Sequence, residues 1–422
     1  MDCQTSVEWL AQRKFCSTSR HKRTSGFAPP PKKTDTSVVA SIKGKDIVER
    51  TETFGTFTEE LEKLIGFLQN EGVSHIAMES TGVYWKPVYY VLEEYFEILL
   101  VNARHIKNVP GQKTDKKDSE WIAKLLLSGL LKGSFVPRQD IRELRVLHRH
   151  RRKLTHQRTA EKNRLQNILE DANIKLGSVV SDVFGKTGTA IVLAIASGEK
   201  DPGKLSELAK GSLVRKKAEL KKALYGRITE HHIFMLQLIL ASIEHINNQI
   251  DCIEKRIDKY LNSMRNDVEL LLTIPGVSEQ IAAGILAEIG NDMVSFPSAK
   301  HLASWAGVCP GNNESAGKKY STRITHGNKY LKTTLVEAAW AASHSKNCLM
   351  AAKYKAIAAR RGSKKANIAI GHKILTAAYF VLWEKTPYLL SSQNKAIEEQ
   401  RRLKRIQRLE RQLADLKSVY RN

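Results

Sequence analysis

A run of apolar residues in the second half of the chain is spaced alternately three and four residues apart. An α-helix brings residues at this spacing onto one stripe, and a stripe of roughly three heptads is buried only against another helix. The sequence therefore predicts a long coiled-coil helix, whose partner is either a second copy of the chain or a helix over residues 140–170. The stripe consists of Leu236, Ile239, Ile243, Ile246, Ile250, Ile253 and Ile257.

The net charge of the chain indicates which class of molecule it binds. The 422 residues include 68 Lys and Arg against 44 Asp and Glu, a formal net charge of +24. Such an excess is typical of proteins that bind a polyanion, most often nucleic acid. No apolar stretch is long enough to span a membrane and no signal peptide is evident, so we expect a cytoplasmic protein without a membrane partner. The five cysteines form no CxxC pair, which argues against a zinc site and a disulfide framework.

The N-terminal third has the pattern of a mixed α/β sheet. In such sheets functional groups gather at the carboxyl ends of strands, where Glu79 is predicted to lie. Glu79 is therefore a candidate site residue. The predicted elements are a hairpin (37–42 and 46–53), a helix (57–71), a strand (73–80), a helix (82–95) and a strand (96–101).

Two further acids, Asp115 and Asp118, lie three residues apart at the start of a predicted helix, so their carboxylates share one face. With Glu79 they predict a site for Mg²⁺ or Mn²⁺, because these ions prefer oxygen ligands and can stabilise a phosphodiester under attack. The alternative is that the aspartates cap the helix and Glu79 is an ordinary carboxylate. Three lysines would neutralise neighbouring phosphates: Lys113, Lys116 and Lys117.

A basic stripe follows on the helix predicted from residue 140. Few acids lie near it in the sequence, so it predicts contact with phosphates, although a solvated helix face is the alternative. The candidate nucleic-acid ligands are Arg149, Arg151 and Arg152, and Arg142 and Arg145 extend the stripe.

A glycine-rich polar loop near residue 315 is a second candidate site. Ser315 in such a loop is either an ordinary turn residue or a nucleophile, and a nucleophilic serine would need a base or a metal for activation. The surrounding cations would bind phosphate: Lys318, Lys319 and Arg323.

Three motifs together resemble the DEDD transposases of insertion sequences, a family of bridge-RNA-guided serine recombinases. They are MESTGVYW with Glu79, KTDKKDSEWIAKLL with Asp115 and Asp118, and LASWAGVCPGNNESAGKKYSTRITHGNKYLKTTLVEAAW with Ser315. The resemblance implies a RuvC-like ribonuclease-H-fold domain with four acidic metal ligands, a coiled-coil linker and a C-terminal domain that supplies the serine. It also implies strand exchange through a serine linked to DNA phosphate, a structured guide RNA, and a homo-oligomer, either dimer or tetramer.

On this resemblance Glu79, Asp115 and Asp118 are the second to fourth acids. The first is expected on an opening strand, but the sequence there reads GFAPPPKK, and proline is confined to strand edges and ends. Asp35 is the nearest acid and a candidate substitute metal ligand, although it lies beyond the expected position, on the following strand. The fold class expected is α/β plus α. The expected divisions are an atypical segment (1–34), a RuvC-like domain lacking a clear first strand (35–139), basic helices with a coiled coil (140–265), a C-terminal transposase domain (266–385) and a basic helical tail (386–422).

The expected function is a transposase that cuts and rejoins DNA. One alternative is a catalytically impaired remnant that still binds nucleic acid, since the first acid is missing. The other is a RuvC-type junction nuclease, which would use the acids but would not need Ser315.

Overall fold

The computed structural model describes most of the chain, in two units, Met1–Val136 and Pro137–Asn422. The first unit contains a sheet and helices and the second is mainly helical, in agreement with the predicted α/β plus α class. The described residues are 8–14, 34–43, 46–80, 82–102, 121–126, 128–311, 313–315, 318–321, 323–345, 348–388 and short pieces between 399 and 413.

The N-terminal unit is built on a five-stranded sheet with the strand order β3-β2-β1-β4-β5. The predicted hairpin is confirmed, because β2 and β3 pair antiparallel around residues 44–45. The later predicted strands and helices are also present, and β4 pairs parallel with β5. The elements are β1 (Glu8–Lys14), β2 (Thr34–Lys43), β3 (Asp46–Gly55), α1 (Thr58–Asn70), β4 (His75–Glu79), α2 (Trp85–Leu92) and β5 (Glu97–Val101).

The centre of this sheet differs from the sequence prediction. The strand β1 lies between β2 and β4, antiparallel to the first and parallel to the second. The sheet thus includes a strand that precedes residue 35, where no clear first strand was expected, and the domain boundary at residue 35 stays a prediction. The proline-rich residues 26–33, on which that prediction rested, lie outside the described part of the chain. A run as short as EWLAQRK has no periodicity strong enough to identify it as a strand, and its neighbours in the sheet decide its conformation.

Side chains of β4 pack alternately on the two faces of the sheet. Ile76 and Met78 join a core formed with α1 and α2, whose centre includes Leu64. Ala77 belongs to a second cluster, with residues of the helical segment 121–126. Both faces are therefore covered, and Glu79 follows at the end of a strand buried on both sides.

The C-terminal unit consists of helices and one small hairpin. Its elements are α3 (Gln139–Asp171), α4 (Leu176–Val179), α5 (Lys186–Ala196), α6 (Pro202–Glu207), a 3₁₀ helix (Gly211–Lys216), α7 (Lys217–Ala223), α8 (Glu230–Asn262), α9 (Arg265–Leu272), α10 (Glu279–Ile289), α11 (Ala299–Ala306), β6 (Asn313–Ser315), β7 (Lys318–Ser321), α12 (Lys329–His344), α13 (Leu349–Arg361) and α14 (Ser363–Glu384).

The apolar stripe of α8 packs against α3 of the same chain. Of the two partners that the sequence left open, the structure therefore shows the helix over residues 140–170. Ile239 and Ile243 share one core with Leu165 and Leu169 of α3. The buried members of the stripe are Leu236, Ile239, Ile243, Ile250 and Ile257, and Ile246 and Ile253 are half-buried.

The last helices pack together, with α14 against α11, α12 and α13. Small residues allow the close approach, since a Cβ on Gly371 of α14 would lie 3.2 Å from the Leu335 carbonyl oxygen of α12. Among the described helices, none combines the length and the apolar character needed to cross a membrane.

Candidate functional site

Glu79 is the one predicted acidic ligand whose side chain the structure describes. It ends β4 and is 7% exposed. The backbone continues beside β5, since the Ser80 amide donates to the Val101 carbonyl oxygen at 2.9 Å. Glu79 therefore lies at the carboxyl edge of the parallel part of the sheet, as predicted.

The described strand register gives Glu79 a neighbour that is not an acid. Glu79 pairs with Val101 of the parallel strand β5. On the other side of β4, the register with β1 ends at the pair of Gln12 and Met78. Among the described strand pairs, Glu79 therefore has Val101 as its register partner.

Asp35, the acid nearest to the expected first position, lies on β2. Its register partners are Lys14 of β1 and Phe54 of β3. Its role as a substitute metal ligand stays an untested prediction.

The remaining predicted residues of the acidic site fall in residues 103–120, outside the described part of the chain. They are Asp115, Asp118, Lys113, Lys116 and Lys117. Among the residues that are described, no group of three His, Cys, Asp or Glu could hold a metal ion. The described chain therefore supplies one of the predicted metal ligands, Glu79, and the metal site stays a prediction.

Ser315 lies at the end of β6, in a two-stranded hairpin with β7. Its register partner is Lys318, and Glu314 pairs with Lys319. Toward the base of the hairpin, the two chain segments are joined by the Gly311 amide, which donates to the Arg323 carbonyl oxygen at 2.8 Å. Ser315 and the predicted phosphate-binding cations are therefore carried by one hairpin, as their spacing in the sequence suggested, and Arg323 is exposed.

The base of this hairpin is closed by two glycines. Gly307 ends α11 with φ of 71°, in the left-handed region that favours glycine. A Cβ on Gly327 would lie 2.3 Å from the Gly307 backbone nitrogen, so neither position has room for a side chain. Asn328 follows directly and caps α12, accepting hydrogen bonds from the Tyr330 and Leu331 amides.

A buried carboxylate, Glu288 of α10, connects this base to the long helix α3. Its side chain is fully buried. Arg149 of α3 donates two hydrogen bonds to it, at 2.8 and 2.7 Å, and stacks 4.2 Å from the Tyr330 ring centroid. Arg145 lies 3.5 Å from the same carboxylate, and the Asn328 side-chain amide donates to it at 2.5 Å.

Sequence reasoning missed Glu288, although a signal was present. It is the one acid inside the apolar run IAAGILAEIG, and a buried acid needs charged or hydrogen-bonding partners.

The other two predicted phosphate ligands on α3 are also paired within the chain. Arg151 forms an ion pair with Glu254 of α8 at 2.5 Å, and Arg152 with Glu337 of α12 at 2.9 Å. The premise that few acids compensate this stripe is therefore wrong in three dimensions. The carboxylates come from residues that are distant in the sequence, and a count of local charges cannot include them. Phosphate binding by Arg149, Arg151 and Arg152 stays an untested prediction.

His148, between these arginines, shows how enclosed this face of α3 is. Burial, together with the positive charge of Arg151, lowers the pKa of His148 to about 4. Its Nδ1 has no hydrogen-bond partner in the described structure. The ring packs on α10, where a Cβ on Gly284 would lie 2.9 Å from the His148 Cε1 atom.

Two family models match the chain. Residues 32–174 match one described as "Transposase", of the DEDD type of IS110, and residues 268–355 match one described as "Transposase IS116/IS110/IS902 family". Together they include more than half of the chain. It belongs to the IS110 family of transposases. The first match contains Glu79, Asp115 and Asp118, and the second contains Ser315.

Several curated proteins match parts of this chain. The pilin gene-inverting protein of Moraxella bovis is 31% identical over 153 residues, which cover 35% of this chain and 47% of that protein. The insertion element IS110 uncharacterized 43.6 kDa protein of Streptomyces coelicolor is 25% identical over 254 residues, 55% of this chain and 61% of that protein. A probable family 20 transposase of Pseudomonas aeruginosa is 24% identical over 270 residues, which cover 63% of this chain and 70% of that protein. The chain spans about half the length of the pilin gene-inverting proteins that it matches.

Proposed function

We propose that this chain is the recombinase of an insertion sequence, which cuts and rejoins DNA through a covalent bond between Ser315 and a DNA phosphate. The observation that carries the proposal is the presence of two matched regions, one with the acids Glu79, Asp115 and Asp118 and one with Ser315. A RuvC-type nuclease would need the first region alone. The Moraxella bovis relative is named for inverting a gene, which supports rejoining as well as cutting.

The proposed reaction begins when the Ser315 Oγ attacks the phosphorus of a DNA strand. The new oxygen–phosphorus bond forms as the bond from phosphorus to one deoxyribose oxygen breaks; the serine loses its proton and the released sugar oxygen gains one. The phosphoserine ester conserves the energy of the phosphodiester, so a sugar hydroxyl of another strand can reverse the step without ATP. Lys318, Lys319 and Arg323 would stabilise the negative charge that develops on the phosphate.

The acidic site completes the proposal. Its donor set suits Mg²⁺ or Mn²⁺, which Glu79, Asp115 and Asp118 would hold and which would neutralise phosphate charge when bound. The mixed five-stranded sheet supports a RuvC-like ribonuclease-H fold for this unit. A structured guide RNA and a dimer or tetramer follow from the family resemblance, with the +24 net charge in support of nucleic-acid partners. Assembly does not depend on the α8 stripe, because α3 covers that stripe within the chain.

A second candidate function is a catalytically impaired member that binds DNA without turnover. The observation that favours it is the sequence GFAPPPKK, which stands where the first acid is expected and contains no acid. On this alternative, duplex binding persists while cleavage and the covalent adduct are absent from the unmodified chain.

The test compares Ser315→Ala with Ser321→Ala, which removes a hydroxyl from the neighbouring strand β7. DNA carrying the ends of the element is incubated with each protein, denatured, and resolved on a gel. We expect a protein–DNA adduct with the unmodified chain and with Ser321→Ala, and none with Ser315→Ala, while all three bind DNA alike. Recombination by Ser315→Ala would refute the serine mechanism. Binding without any adduct from the unmodified chain would instead support the impaired alternative.

A further inference from the structure

The region from the second half of α12 through α14 has a charge pattern that neither candidate site uses. Residues 338–383 contain no Asp or Glu. The same stretch carries eight cations: Lys346, Lys353, Lys355, Arg360, Arg361, Lys364, Lys365 and Lys373. A stretch without acids cannot form ion pairs within itself. Any ion pair of its cations must therefore use an acid from another part of the chain or a negatively charged ligand.

The structure collects four of these cations at one corner. Arg360 and Arg361 end α13, and Lys364 and Lys365 lie in the first turn of α14. Gly362 is the single residue between the two helices, and its φ of 83° makes the sharp change of direction. All four cationic side chains are exposed. We call Arg360, Arg361, Lys364 and Lys365 the basic corner.

The basic corner has no carboxylate partner in the described part of the chain. The one hydrogen bond of its side chains joins the Arg360 Nε to the Ala356 carbonyl oxygen of its own helix, at 3.2 Å. By contrast, each predicted phosphate ligand on α3 has a carboxylate within ion-pairing distance. Among the described residues, the cations of the basic corner are therefore not engaged by a carboxylate, whereas the α3 arginines are.

The basic corner lies on a helix whose continuation is buried. Directly after Lys365, α14 is buried at Ala366 and Ile370, and farther along at Ile374 and Leu375. The first amides of α14 have no side-chain cap, so the positive end of that helix dipole adds to the field of the four cations. Positive charge concentrated at one exposed corner favours contact with the phosphates of a nucleic acid.

We propose that the basic corner binds the phosphate backbone of duplex DNA. This assignment rests on the proposed function, in which the chain acts on DNA, and adds the surface that holds the duplex. A membrane surface fits less well, because the exposed large apolar side chain of α13 is Leu349, at the end of the helix farthest from the corner. Phosphate contacts position a protein on DNA without reading its sequence, so binding at the corner should be independent of sequence.

The test measures the salt dependence of duplex DNA affinity in the full chain. In one variant the four residues of the basic corner become alanine. The matched control removes four exposed cations elsewhere in the same unit, with Arg215, Lys216, Lys221 and Lys222 changed to alanine. Both variants lose the same charge. A third variant, Arg360→Lys with Arg361→Lys, keeps the charge at the corner.

We expect the log-log salt slope to fall by roughly 0.9 for each phosphate that the variant no longer binds, so by about 2 to 4 in the basic-corner variant. The control should retain most of the slope, and the lysine variant should retain nearly all of it. An equal fall in the control would overturn the assignment, because net charge alone would then explain binding. A larger fall for a structured RNA than for duplex DNA would overturn the choice of DNA.

Two outcomes separate this inference from the proposed function. Unchanged thermal unfolding in all variants ensures that the slope reports binding. A reduced slope together with a retained Ser315 adduct on saturating DNA would support the basic corner as a binding surface apart from the chemistry. An unmodified chain that binds no duplex DNA would overturn both proposals, whereas a normal slope in the basic-corner variant overturns this one alone.

Discussion

Two arginine-containing regions of this IS110-family chain carry similar local charge, but they differ in whether carboxylates lie near them. On α3, Arg149, Arg151 and Arg152 each meet a carboxylate from another helix. At the basic corner, Arg360 and Arg361 are exposed and no carboxylate lies near them among the described residues. The difference shows that a cationic stripe identifies a nucleic-acid surface only when its counter-charges are known in three dimensions.

The position of each region in the fold explains why one has carboxylate partners and the other has none among the described residues. The helix α3 is 33 residues long and packs against α8 and α10. Its cations therefore meet acids placed 103 to 185 residues further along the chain. The basic corner terminates two helices within an acid-free stretch, so no neighbouring turn brings a counter-charge.

The prediction with the greatest change in stability concerns the buried ion pairs of α3. Glu288→Ala should lower the free energy of unfolding by about 3–5 kcal/mol, because it leaves Arg145 and Arg149 partly buried without their shared carboxylate. Urea unfolding followed by circular dichroism measures the change. The control is Glu337→Ala, which removes the mostly exposed partner of Arg152 and should cost less than about 1 kcal/mol. Equal losses would show that the Glu288 network is not a buried support.

A smaller effect tests how enclosed α3 is. The pKa of His148 is about 4 in the folded chain and about 6.5 when unfolded. Between these values the unfolded state binds the extra proton, so stability should fall by about 1.4 kcal/mol for each pH unit as pH decreases through this window. Above about pH 6.5 the contribution is constant.

The measurement is the free energy of unfolding from pH 7 to pH 4. His148→Gln should remove this part of the pH dependence, while the control His150→Gln, at an exposed position on the same helix, should keep it. An unchanged pH profile in His148→Gln would mean that the imidazole is not enclosed as the structure indicates.

The smallest expected effect concerns DNA. If the ion pairs with Glu254 and Glu337 persist in the complex, replacing Arg151 and Arg152 together by alanine should change the log-log salt slope by less than about 0.5. Should both arginines contact phosphates instead, the slope would fall by roughly 1.8, at about 0.9 for each contact. That larger fall would restore the sequence prediction for α3 and remove the contrast with the basic corner.

Local patterns in the sequence predicted the parts of the fold that depend on short-range order. The hairpin of β2 and β3, the buried strand that ends at Glu79 and the apolar stripe of α8 all have a periodicity that is visible within a few residues. The hairpin that carries Ser315 and Lys318 is likewise confined to one short segment. For the acidic site, the sequence predicted that Glu79 ends a strand.

Tertiary structure decided what depends on partners distant in the sequence. The strand β1 has a weak local pattern, and the pairing with β2 and β4 places it at the centre of the sheet. The α8 stripe required a helical partner, and the packing of the chain supplied α3. The α3 arginines had few acids nearby in sequence, and the fold supplied Glu254, Glu288 and Glu337. Hydrogen bonds and ion pairs act over a few ångströms of space, so they depend on which helices meet, which the local sequence pattern does not encode.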